Sequence, residues 1–137
     1  MRTKLAIVFT AAGLLLAVAP VWAHHAFAAE FDGNKPVKLI GAVSRGELIN
    51  PHAWIHIDVK GDDGKVTTWM VEGGSPNTLL RQGFTRNTLE IGTVIVVDGY
   101  QAKDGSTRAN GRDITFQDGK KMFLSSSSGN QGPPPAK

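Results

Sequence analysis

A chain of 137 residues with 41% hydrophobic and 20% charged side chains has room for one modest domain and is neither wholly disordered nor a polytopic membrane protein. Its 15 basic and 12 acidic residues leave a charge of +3. It has no cysteine, so disulfides and thiolate metal sites are excluded and the fold must be held by its own core.

Arg2 and Lys4 precede an uncharged run from Leu5 to Ala19 that ends at Pro20. A short positive start followed by an apolar stretch of less than the about 20 residues needed to span a bilayer is the pattern of a secretory signal. Val21 and Ala23 place the cut after Ala23, so residues 1–23 are the expected signal peptide and His24 the new amino terminus. No cysteine follows to carry a lipid, and no membrane span is expected after processing. Loss of Arg2 and Lys4, with no acid, brings the charge to +1. Nucleic acid is therefore not an expected partner, since a near-neutral surface has little pull on phosphate.

Residues 24–36 read as an arm that carries His24 and His25 and closes on Asp32, Gly33, Asn34 and Pro36. The folded body is expected over 37–124. In it, Val37, Leu39, Gly41 and Val43 alternate with Lys38, Ile40, Ala42 and Ser44, a first strand in which Gly41 marks a bulge or tight bend. After Asn50 and Pro51, Ala53, Ile55, Ile57 and Val59 point one way and His52, Trp54, His56 and Asp58 the other, a second strand with one buried face. Asp62–Gly64 turns the chain into a third strand, Val66 to Glu72. Ser75 and Pro76 are an N-cap and a first-turn proline, with Gly83 as the stop of a short helix. The β-branched stretch from Thr93 to Val97 opens a fourth strand towards Tyr100. Asp104 and Gly105 turn it, and Arg112 to Phe116 returns; a further turn at Asp118 and Gly119 leads to Met122, Phe123 and Leu124. Residues 125–137 are a Ser/Gly/Pro tail with too little apolar surface to order itself.

This order predicts a mainly β fold, a small OB-like five-stranded barrel with one short helix between strands 3 and 4. A small β-sandwich or a meander with a helix over one end is the competing architecture.

The four histidines, His24, His25, His52 and His56, all lie early in the expected mature chain. Imidazole is a common ligand of copper, and a free amine at His24 together with its ring nitrogen would form a chelate of the histidine-brace kind. A copper site is thus expected from His24 and His25 with His52 or His56. His52 and His56 share a face but stand roughly 13 Å apart along a strand, so both cannot hold one ion unless Pro51 bends His52 back. The plain alternatives are a polar processed end and an exposed strand face. Trp54, Trp69 and Tyr100 could stack on a ligand, with Arg45, Lys103, Arg108 or Arg112 donating hydrogen bonds, or could be packing groups. Asn50 and Trp54 are the expected ligand-binding residues. No nucleophile elbow, zinc helix, phosphate loop or dinucleotide fingerprint is present, and no catalytic residue is expected.

The segments His24-His25-Ala26-Phe27 with Glu30-Phe31-Asp32, Asn50-Pro51-His52-Ala53-Trp54, Gly74-Ser75-Pro76-Asn77 and Ala102-Lys103-Asp104-Gly105-Ser106 resemble those of a family of small exported bacterial proteins of unknown function. The element order is similar to that of the periplasmic bacterial OB-fold family. The resemblance implies a Gram-negative periplasmic setting and no activity. The expected function is a non-enzymatic binding or accessory protein, with copper as its ligand or, alternatively, a periplasmic protein, peptide or cell-wall glycan.

Overall fold

Alternation of apolar and polar side chains gives each strand one face to bury, and in a chain this short those faces can only be buried against one another. The structure, a computed structural model, describes residues 27–125. The expected signal peptide, His24, His25 and the tail beyond Ser125 lie outside the described residues.

Residues 27–30 are helical. Six strands follow: β1 (Phe31–Leu48), β2 (Ala53–Lys60), β3 (Val66–Glu72), β4 (Val94–Ala102), β5 (Arg108–Phe116) and β6 (Lys121–Phe123), with helix α1 (Pro76–Arg81) between β3 and β4. The pairings β3–β2–β1–β4–β5–β6 are antiparallel. A parallel pairing of β3 with β5 joins the two halves, so that β1, β2, β3, β5 and β4 form a ring of hydrogen-bonded strands.

The mainly β expectation and the position of the helix hold. Ser75 caps α1 through its hydroxyl, which accepts from the Thr78 amide, and Pro76 follows in the first turn; Gly83 leaves the helix with φ of +94°, as a left-handed stop requires. Four features differ. β1 begins at Phe31, inside the expected arm, because Phe31 pairs with Ala102 and is itself buried. β5 starts four residues before Arg112, at Arg108. A sixth strand forms because Met122 and Leu124 have an apolar hollow to fill: Met122 is 6% and Leu124 0% exposed. The irregularity in β1 lies between Val43 and Arg45 rather than at Gly41; Gly41 instead lets β2 approach, since a Cβ there would stand 2.5 Å from the Asp58 carbonyl oxygen.

The core inside the ring is built from Leu39 and Val43 of β1, Ala53, Ile55 and Ile57 of β2, Val71 of β3, and Ile95 and Val97 of β4, with Leu79 of α1 and Phe84 closing one end. β4 and β5 touch most closely at Gly99, where a Cβ would come within 2.2 Å of the Asn110 carbonyl oxygen.

Ile57→Ala is expected to cost about 2–5 kcal/mol through the cavity it leaves, and Gly99→Ala to force β4 and β5 apart. Urea unfolding followed by tryptophan fluorescence measures both; an unchanged midpoint for Gly99→Ala would show that the backbone there yields without cost.

Candidate functional site

On the outside of β2, Trp54 lies in register between Glu47 of β1 and Glu72 of β3. Counting back from the Asp62–Gly64 turn pairs Trp54 with Glu72, so this contact has a signal in the sequence. β5 adds Arg108, which the parallel register sets opposite Met70. Its guanidinium carbon stands 5.4 Å from the centre of a Trp54 ring and 5.9 Å from that of Phe31, within reach of cation–π attraction. The same group donates to Glu30 Oε2 at 2.9 Å.

The chain before β1 is held to this side of the molecule. Phe27 contacts Phe31 and meets Tyr100 edge-on at 5.8 Å, and the Glu30 carbonyl accepts from the Lys103 amide at 2.9 Å. Glu30, His52, Trp54, Glu72 and Arg108 thus form one cluster drawn from four parts of the chain.

His52 follows the cis Asn50–Pro51 bond and pairs through Nδ1 with Glu72 Oε1. The carboxylate side chain is 9% exposed and the imidazole 38%. Nε2 has no partner among the described residues, as in histidines that a carboxylate orients for an outside ligand. Burial holds the Glu72 carboxyl above the ordinary value of 4.5; the charge and hydrogen bond of His52 oppose that rise, the charge of Glu30 adds to it, and Arg108 opposes it.

His56 faces a different carboxylate. Its Nε2 lies 3.3 Å from Glu47 Oε1, the oxygen that Arg45 Nε also reaches at 2.9 Å, and is buried there without a hydrogen bond among the described residues. The two histidines therefore face carboxylates on opposite neighbours of β2 and are not brought together. Among the described residues no three His, Cys, Asp or Glu side chains form a group able to hold a metal ion.

The other flank of Trp54 faces a cleft of about 500 Å³, between the end of β1, the start of β2 and the segment 84–91. Leu48, Phe84, Leu89 and Ile91 supply apolar walls, with Glu47 beside them. Phe84 and Leu89 belong to the segment that connects α1 to β4. Asn50 is exposed in the β1–β2 loop and does not line the cleft. Trp69 packs against the core and Tyr100 is 4% exposed, so these two rings do not join Trp54 in an open stacking surface.

Residues 12–111 match the family described as a family of unknown function, DUF6152. The chain belongs to this family. The matched stretch contains every residue of the cluster and of the cleft and stops before β6. No curated protein matches this DUF6152 chain. Among the described residues no helix is long and apolar enough to cross a membrane.

A raised folded-state pKa means that the native chain holds the Glu72 proton more tightly than the unfolded chain. Stability from this group therefore falls as pH rises from 4.5 through the folded value, and is level above it. Carbon NMR titration of the Glu72 carboxyl should give a midpoint above 4.5, higher still in His52→Ala and lower in Glu30→Gln. A native midpoint at or below 4.5 would mean that His52 and Arg108 outweigh burial.

Proposed function

We propose that this DUF6152 chain is an exported, non-enzymatic accessory protein of the periplasm that binds its ligand on an OB-like barrel, at the cleft walled by Trp54. The closed ring of strands with α1 between β3 and β4 supports the OB-like reading, because that is the element order of the OB-fold. The positive start and the apolar run that ends at Pro20 support export through a signal peptide cleaved after Ala23. The cleft carries the functional reading. Its volume of about 500 Å³ and its mainly apolar wall with one large aromatic group are the attributes of a small-ligand or segment-binding site. The ligand class is a protein, peptide or cell-wall glycan, and binding requires no metal.

Trp54→Ala is expected to weaken binding of peptides or soluble muropeptides at least tenfold, with Trp54→Phe retaining most of it and chelator changing nothing. Fluorescence and calorimetric titration measure this; binding that survives Trp54→Ala intact rejects the cleft.

Copper binding is a second reading, favoured by one observation: His52 Nδ1 is held by the buried Glu72, which leaves Nε2 on the half-exposed side. His24 and His25 precede Phe27 by only three and two residues, and Phe27 packs close to the cluster. The ligand set would be His24, His25 and His52, with His56 set aside because its Nε2 is buried facing Glu47. Calorimetry of the processed protein with Cu(II) should show at least a tenfold loss on His52→Ala and little change on His56→Ala. Millimolar affinity, or indifference to replacement of His24, removes this reading.

A further inference from the structure

β1 keeps β2 on one side to its end but loses β4 on the other. The β1–β4 register stops at Ala42 opposite Val94, and just beyond it the Val43 amide donates to the Thr93 carbonyl while the Val43 carbonyl accepts from the Gly92 amide. The β1–β2 register runs on to Leu48 opposite Ala53. Between Val43 and Arg45 β1 advances two residues while β2 advances one, from Ile57 to His56, so one extra residue is inserted there. Backbone direction alternates along an antiparallel strand. Val43 points away from β2, and with the extra residue counted, so do Gly46 and Leu48. Their N–H and C=O groups face the cleft they line, and no described backbone group outside β2 pairs with them. Space above Gly46 is open, for a Cβ there would meet nothing within 4 Å. Leu48 and Ile91 border the same space at 42% and 79% exposure.

A strand end with unpaired N–H and C=O groups is a template for another strand, and an apolar wall beside it takes alternate side chains of whatever pairs there. We propose that the cleft binds an extended peptide segment as an added strand along Gly46–Leu48, with its alternate apolar side chains set against Trp54, Phe84 and Ile91. This rests on the cleft being the ligand site and names its occupant. The backbone edge selects a peptide over a glycan, which lacks a repeating N–H and C=O pattern. Charge selects the kind of peptide. Glu47, the carboxylate in the wall, is already met by Arg45 and His56, and the rim residues Arg86 and Glu90 oppose each other in sign, so the segment over the cleft is uncharged, with an apolar residue at every second position.

The test uses protein purified from cells expressing the full chain and a displayed library of random nine-residue peptides. Selected sequences should alternate apolar and polar residues without charge at their centre. The tightest of them, added to nitrogen-labelled protein, should slow hydrogen exchange of the Gly46 and Leu48 amides at least tenfold. The same peptide N-methylated at alternate residues should bind at least tenfold more weakly in one of its two registers. Leu48→Pro, which removes one edge donor, should weaken it to a similar extent; Ile91→Asp, which leaves the strand intact, does so from the opposite wall and covers the case in which Leu48→Pro fails to fold. Peptides that need Trp54 but leave both amides exchanging freely and tolerate N-methylation in both registers overturn strand addition while the cleft reading stands. A library that yields no binder, with muropeptides bound through Trp54, overturns the peptide as occupant; a library that yields no binder and no Trp54-dependent ligand of any kind removes both.

Discussion

Three residues of β3, Met70 to Glu72, run parallel to Arg108–Asn110 of β5, and this short pairing converts an open sheet into a ring. Without it β3 and the Arg108–Asn110 part of β5, which β6 does not reach, would be exposed edges with unpaired backbone groups. Gly111, just past the paired residues, leaves room for the side chains that pack there: a Cβ on it would stand 2.7 Å from both Leu124 Cδ1 and Val71 Cγ1. The chain end seals the same junction. The Leu124 carbonyl accepts from Gly74 at 2.6 Å and its amide donates to the Arg112 carbonyl at 3.0 Å, so β6 and its successor lie across the β3–β5 contact.

The candidate site is a by-product of that closure. Glu72 and Arg108 are 36 residues apart in sequence, and only the parallel pairing puts them on one surface beside Trp54. A carboxylate as buried as Glu72 is costly when charged, and pairing with His52 offsets that cost only in part, as the net upward shift of its pKa records. Such a pair contributes little to stability. What it does is fix one ring nitrogen of His52 and leave the other towards the surface.

Trp54 stands between two environments. On one flank it meets the guanidinium of Arg108, itself shared with Glu30 and Phe31; on the other it walls an apolar cleft that ends at an unpaired stretch of β1. An occupant of the cleft would therefore meet Trp54 beside the stretch where β1 runs past β4.

Much of the fold was legible in the chain because local rules dictate it. Alternation placed Ala53, Ile55 and Ile57 inside and Trp54 and His56 outside; Ser75-Pro76 and Gly83 bounded α1; Asp-Gly pairs marked the turns. Periodicity is a property of neighbours, so it survives in a single sequence. The early start of β1, the sixth strand and the β3–β5 pairing were not legible, since each depends on a partner far along the chain. The site divides in the same way. Sequence alone singled out His52, His56 and Trp54 and the face they share, but it could not assign them different fates. Only the tertiary structure decided that His52 meets Glu72, that His56 meets Glu47 and that Arg108 reaches Trp54, because which side chains meet across a closed ring is set by register and closure, and no local pattern encodes either.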